Sequence, residues 1–307
     1  MKRLLGILLA LAMVCCLLPA AASAAEVGSG ACGENVTWVL TEDGTLTISG
    51  TGPMKDYSDW SIPNFAPWYG EKVLRIVIEE GVTYIGVSAF NYCIDATSVT
   101  IPDTVTKIGH GAFQSCKSLT DVTLPDGIHY IEASTFSQCH SLTGVTLPES
   151  VKKIERMAFV FCKALTSITI PKNVISLGTW AFGDCLALSE ITFEGDAPFF
   201  WDDSFSSVTA NAYYPAGNDT WTDEVRQNYG GNITWIPYEP EVTAVPGDMD
   251  GSGVVDDSDV AQLLWYSLFP DDYAVSGNAD VNADGAVDDG DVAYLLWHTL
   301  FPENYPL

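Results

Sequence analysis

The chain has 307 residues, 47% of them hydrophobic, and sets 40 Asp and Glu against 13 Lys and Arg, for a formal charge of −27. That balance excludes nucleic acid and anionic membrane surfaces as partners, because both demand basic patches. The length leaves room for two domains.

Residues 1–25 read as a secretory signal peptide. Lys2 and Arg3 precede an apolar run from Leu4 to Leu18, and Ala22-Ser23-Ala24 supplies small residues for cleavage after Ala24 or Ala25. Cys15 and Cys16 do not make a lipoprotein signal, since Val14 is bulky where a small residue is needed. No later apolar stretch reaches the roughly 18 residues that span a bilayer. The expectation is a protein exported and then released, or held at the cell surface by non-covalent contacts. Loss of Lys2 and Arg3 takes the charge from −27 to −29.

From Leu74 to about 210 the chain repeats itself. Thr97–Leu119 reads TSVTIPDTVTKIGHGAFQSCKSL, and three further copies start at Thr120, Thr143 and Thr166, a period of 23 without insertion. The third and fifth residues of each copy are apolar (Val99 and Ile101, Val122 and Leu124), the alternation of a short strand with one buried face. Pro102, Pro125, Pro148 and Pro171 then end the strand. A second apolar pair follows, then a column of Phe (Phe90, Phe113, Phe136, Phe159, Phe182, Phe205), then a column of Cys (Cys93, Cys116, Cys139, Cys162, Cys185). One such unit cannot bury its apolar residues alone, whereas stacked copies share a continuous core. A cysteine column at fixed spacing is a packing column of free thiols rather than a disulfide framework, with Cys32 also free. Thr100, Thr123, Thr146, Thr169 and Thr192 are expected on the open face of the strands. Thr suits a solvated strand, and a ligand stripe is the alternative. Asn35, Asn218 and Asn232 head glycosylation-type triplets.

These columns resemble the bacterial surface leucine-rich repeats of the BspA-like type, over roughly 74–210. The resemblance implies a leucine-rich-repeat solenoid of short strands with β caps. The N-terminal cap is 26–73, on Cys32-Gly33-Glu34-Asn35, Gly44 to Gly50 and Pro67-Trp68-Tyr69; the C-terminal cap is 211–238, on Ala212-Tyr213-Tyr214-Pro215 through Trp235. It also implies adhesion to host proteins, other cells or surfaces; a host, cell-surface or polysaccharide ligand on the solenoid is the expected partner class.

Residues 239–246 form a short Pro-containing linker into an acidic segment, 247–307. From Glu241 onward there are 14 Asp and Glu and no Lys or Arg. Two matched twelve-residue loops place oxygen donors at positions 1, 3, 5, 7, 9 and 12. These are Asp248, Asp250, Ser252, Val254 (backbone carbonyl), Asp256 and Asp259, then Asp280, Asn282, Asp284, Ala286 (backbone carbonyl), Asp288 and Asp291. Gly253 and Gly285 occupy the sharp turn at position 6. This is the hard-oxygen array that calcium requires, so two calcium ions are expected. Each loop runs into an amphipathic segment: Val260, Leu263, Leu264 and Leu268, then Val292, Leu295, Leu296 and Leu300. The two apolar faces are expected to pack together.

This duplicated loop–helix resembles a dockerin, an EF-hand-like module that docks onto cohesin domains of scaffold proteins. The resemblance implies a small all-α domain whose partner-reading positions are Asp257, Ser258, Asp289 and Gly290. Trp265 and Trp297 stand where many dockerins carry Lys or Arg, and are either core or exposed partner anchors. The reading is a secreted, non-catalytic binding protein. The rivals are a dockerin-bearing component of a polysaccharide-degrading complex and a structural spacer. A glycosidase needs two carboxylates across one cleft, and the repeats offer no such pair, no nucleophile motif and no metal site outside the loops.

Overall fold

The computed structural model describes residues 24–57, 64–239, 247, 249, 255–268, 279–282, 287–300 and 304. The signal peptide, apart from its last two residues, lies outside them. The chain divides into two compact units, Met1–Tyr238 and Glu239–Leu307.

The first unit is a solenoid. Its strands are β1 (Glu26–Ala31), β2 (Val36–Thr41), β3 (Thr45–Gly50), β4 (Gly52–Pro53), β5 (Arg75–Ile78), β6 (Val82–Ile85), β7 (Ser98–Thr100), β8 (Lys107–Ile108) and β9 (Asp121–Thr123). They continue as β10 (Tyr130–Ile131), β11 (Gly144–Thr146), β12 (Lys153–Ile154), β13 (Ser167–Ile170), β14 (Ser176–Leu177), β15 (Glu190–Phe193), β16 (Phe199–Phe200), β17 (Thr209–Pro215) and β18 (Asn232–Tyr238). β1, β2 and β3 pair antiparallel, and β3 then pairs parallel with β5, so the first sheet turns from hairpin to solenoid at β3. Parallel pairing recurs every 23 residues, as in Ser167↔Glu190 and Gly144↔Asp121. At the far end β15, β17 and β18 continue the same parallel ladder.

The second apolar pair of each repeat is itself a strand. β4, β6 and β8 form one short parallel sheet and β10, β12, β14 and β16 another. Ile108, Ile131, Ile154 and Leu177 point inward from them and are buried. Sequence alternation did not show this side, because all its strands but the four-residue β6 are only two residues long and offer no period to read.

A third side closes each coil without any strand. Phe90 N–H donates to the Ala112 carbonyl, Phe113 to Thr135, Phe136 to Ala158 and Phe159 to Ala181. This ladder holds two left-handed residues per repeat, among them Ser134 and Gln138 (φ 56° and 61°) and Met157 and Phe161 (φ 58° and 62°). Non-glycine residues enter that region at a cost of about 1–2 kcal/mol each. Inter-coil hydrogen bonds and the buried Phe between them offset it.

The phenylalanines stack along the axis. Successive ring centroids from Phe90 to Phe205 lie 5.3 to 5.9 Å apart, with Phe113 and Phe136 only 2° from parallel. Trp68 continues the stack at 5.7 Å from Phe90, and its Nε1–H donates to the Ala89 carbonyl. Trp221, Tyr214 and Trp235 cluster with Phe193 at the other end. Large aromatic rings therefore seal a core that would otherwise open to water at both ends.

All six described cysteines are free and buried. Cys116, Cys139, Cys162 and Cys185 each donate S–H to the carbonyl of the Phe one coil earlier, at 3.1–3.2 Å. Burial pushes the Cys93 and Cys139 thiols up to about 12 and Cys32 up to about 11. The thiolate is the reactive form. Native protein at pH 8 should therefore leave its thiols unlabelled by a maleimide over hours, and denaturant should expose all six. Rapid native labelling would contradict the packing column.

Candidate calcium loops and binding faces

In the second unit two helices are described, α1 (Asp257–Leu268) and α2 (Asp289–Leu300). A small core of Met249, Leu263, Ala279, Val281 and Leu295 lies between them. Of the expected apolar faces, Leu263 and Leu295 are buried and Val260 and Val292 pack against them, but Leu264, Leu268, Leu296 and Leu300 are exposed. The reason is geometric. A twelve-residue helix on so small a core buries one narrow row, and the residues a third of a turn away face outward. Each helix so presents the same outward stripe: Ala261, Leu264, Trp265 and Leu268 on α1, Ala293, Leu296, Trp297 and Leu300 on α2. Trp265 is 47% exposed and Trp297 46%, so neither belongs to the core.

Asp259 and Asp291, position 12 of each loop, are fully buried. One Asp259 oxygen accepts the Met249 N–H at 2.6 Å and the other the Asp256 N–H at 2.8 Å. Asp291 does the same with Asn282 at 3.2 Å and Asp288 at 2.9 Å. Asp256 and Asp288 cap the helices, accepting from Ser258 N–H at 2.8 Å and Gly290 N–H at 2.7 Å. In the second loop Asn282, Asp288 and Asp291 converge: a Cβ placed on Gly290 would lie 2.9 Å from Asp288 Oδ1 and 3.1 Å from Asn282 Nδ2. Asp257, Ser258 and Gly290 are exposed at the helix starts, and Asp280 is half-buried. Asp248, Asp250, Ser252, Val254, Asp284, Ala286 and the side chain of Asp289 lie outside the described residues. Among the described residues alone, no cluster of three metal-ligating acids, histidines or cysteines forms.

The open face of the first sheet carries Thr100, Thr123, Thr146 and Thr169, all exposed. Its ladder is interrupted between β7 and β9 and between β11 and β13. Val99 and Val145 beside those interruptions are half-buried rather than buried. A groove of about 480 Å³ lies over the second interruption, bounded by Asp121, Thr146, Glu149, Thr169 and Glu194. Burial, and then the Glu149 carboxylate beside it, holds the Glu194 carboxyl above the usual range. A separate hydroxyl column does structural work: Thr97, Thr120 and Thr143 each donate Oγ–H to the carbonyl 23 residues earlier, at 3.0–3.2 Å.

The second sheet has a different open face. Tyr130, Lys153, Ser176 and Phe199 occupy successive registers on β10, β12, β14 and β16, Tyr84 and Lys107 pair at the same repeat position on the short sheet before it, and Trp201 follows Phe199 by two residues. The Lys107 ammonium sits 5.7 Å from the Tyr84 ring centroid. Sequence reasoning passed over this column, although the one visible signal was there: an exposed repeat position that keeps returning to aromatic residues. Among the described residues no helix is long and apolar enough to cross a membrane.

Residues 62–211 match the family model for the BspA type leucine rich repeat region, in six copies. The solenoid resembles solved bacterial repeat proteins in fold. A leucine rich cell surface protein of Faecalibacterium prausnitzii A2-165 is 24% identical over 69% of this chain and 76% of its own, with a TM-score of 0.37. A leucine rich repeat protein of T. pallidum is 21% identical over 65% of this chain and 96% of its own, with a TM-score of 0.42. A leucine-rich repeat protein of Eubacterium ventriosum ATCC 27560 is 20% identical over 68% and 85%, with a TM-score of 0.30. No curated protein matches the chain.

Proposed function

We propose that this chain is a non-catalytic binding protein of the cell exterior. Its BspA-type solenoid contacts a macromolecule or surface, and its acidic C-terminal unit binds two calcium ions and docks onto a cohesin-like scaffold partner. The observation that carries the docking reading is the duplicated outward stripe. Large apolar side chains, including a half-exposed Trp on each helix, are placed alike by two copies of one loop–helix unit. Exposed aromatic anchors of this kind dominate protein interfaces. The residues present fit calcium. Asp259 and Asp291 are buried carboxylates in a unit whose sequence from Glu241 onward holds no Lys or Arg, and the loop positions around them supply only oxygen donors. A bound ion would neutralise these acids and fix each loop to the start of its helix.

Glu149 and Glu194 stand side by side in the groove of the first sheet, whereas a glycosidase holds its two carboxylates roughly 5–10 Å apart across the sugar bond.

Titration of the full chain with calcium in a calorimeter should show uptake of about two ions, and Asp259→Ala with Asp291→Ala should abolish it. Docking onto a cohesin-bearing scaffold should require calcium and weaken at least tenfold in Trp265→Ala/Trp297→Ala. Absence of calcium uptake would sink the docking reading while leaving the solenoid's binding role standing.

A further inference from the structure

We infer that the open face of the second sheet is a binding site for a neutral polysaccharide, with Trp201 as its principal platform. This rests on the reading of the solenoid as a binder and names the ligand class. Trp201 is 54% exposed and Phe199 62%, their rings edge to face at 5.4 Å. Two large aromatic rings left in water beside a well-filled core have been placed there by the fold, since the core of the same coil is closed by Phe200 and Phe205. The Trp201 ring borders a cleft of about 340 Å³ with Lys153, Glu155, Arg156, Gly178 and Thr179.

The floor of that cleft is bare backbone for a reason. A Cβ on Gly178 would lie 2.4 Å from the Arg156 nitrogen and 2.6 Å from the Glu155 carbonyl carbon. Gly178 lets the two coils meet backbone to backbone, and it leaves no side chain between Glu155 and Trp201 in that row of the repeat. Lys153 and Arg156 take no part in either ion pair described in the solenoid, Arg75–Asp43 and Arg226–Asp223. Their donors stay available, and Glu155 supplies an acceptor beside them.

This combination selects a sugar. The polarised C–H face of a pyranose lies against the negative face of an aromatic ring. Its vicinal hydroxyls, each donor and acceptor, need both kinds of partner within reach. Two cations against one carboxylate leave the cleft with a net charge of only about +1, too little to select a polyanion over a neutral ligand. The arrangement recurs three strand spacings away, roughly 14 Å along the sheet. There Tyr130, 45% exposed, borders a cleft with Lys107, His129 and Glu132. Two aromatic clefts on the same side of the repeats suit a chain rather than a single sugar.

The test is affinity electrophoresis and calorimetry of the full chain, in chelator, against soluble xylan, glucomannan and mixed-linkage β-glucan, with polygalacturonate as a charged control. The expected result is binding to at least one neutral glycan, little changed between 50 and 500 mM salt. Trp201→Ala should weaken it at least tenfold, Trp201→Phe less, and Arg156→Gln severalfold. Tyr130→Ala should weaken polymer binding but leave a short oligosaccharide unaffected. All three positions lie on the surface, so unchanged melting would certify the fold. The inference is overturned if no neutral glycan binds, if Trp201→Ala binds as well as the parent, or if only the polyanion binds with a steep salt dependence. If glycans fail while the chain still adheres to cells or matrix protein, the binder reading survives and only the ligand class falls.

Discussion

Phe136→Ala should lower the free energy of unfolding by about 3–5 kcal/mol, the range of buried aromatic deletions. Phe136 is fully buried between Phe113 at 5.5 Å and Phe159 at 5.4 Å, and both rings lie within 10° of parallel to it. Removing the ring leaves a void inside a stack whose neighbours are held in place by their own inter-coil hydrogen bonds. They cannot collapse into it without breaking the bonds from Phe136 N–H to the Ala158 carbonyl and from Phe113 N–H to the Thr135 carbonyl. A solenoid also contacts itself only between neighbours, so a weak coil in the middle divides the molecule into two shorter stacks. The variant is expected to melt earlier and less cooperatively. Thr146→Ala, on the open sheet face, should cost well under about 1 kcal/mol. A Phe136→Ala protein that melts within a degree of the parent would show that the rings are not a structural stack.

The repeat was legible because its strongest signals are one-dimensional. Apolar residues at positions three and five, the Phe column and the Cys column recur at a fixed 23, and one register satisfies them all. Residues whose role lies between coils were harder to read. Tyr130, Lys153 and Phe199 look like unrelated surface residues along the chain, and become one face only when Ile131, Ile154, Leu177 and Phe200 are seen to pair in register. The left-handed positions carry Ser, Gly, Ser, Met, Trp and Asp at 88, 111, 134, 157, 180 and 203. Nothing in that set announces a shared backbone conformation, because the ladder to the next coil imposes it. In the acidic unit the periodicity of α1 overstated the buried face. Leu264 and Leu268 satisfy a helical pattern, yet the available core buries only Leu263 fully from that helix, with Val260 and Tyr266 packed at its edge, and Leu264 and Leu268 become surface.

Stability should fall steeply with rising pH between about 9 and 12, because of the thiol column. Cys93 and Cys139 have an ordinary thiol value of 9.0, and burial raises both to about 12 in the folded protein. Below pH 9 the thiols are protonated in folded and unfolded chains alike, so they add no pH dependence there and their full contribution is present. Above 9 the unfolded chain gives up these protons while the folded chain keeps them, and ionisation pulls the equilibrium towards unfolding. The loss continues to about pH 12, where the folded thiols also ionise. At about 1.4 kcal/mol per pH unit of displacement, each thiol withdraws on the order of 4 kcal/mol over that window. Tyr57 and Tyr84, also held above the usual phenol range by burial, act in the same direction, so the parent slope alone is not diagnostic. The comparison that isolates the thiols is Cys93→Ala/Cys139→Ala, measured by urea unfolding at half-unit steps from pH 8 to 10.5 under reducing conditions. The double variant starts less stable at pH 8, because it loses two packed side chains and the S–H bond from Cys139 to the Phe113 carbonyl. Its stability should then decline more gently, by close to two protons' worth of slope once the pH is well above 9. Parallel slopes for parent and variant would mean that the column ionises as readily in the fold as outside it, and that these thiols are not sealed between the coils.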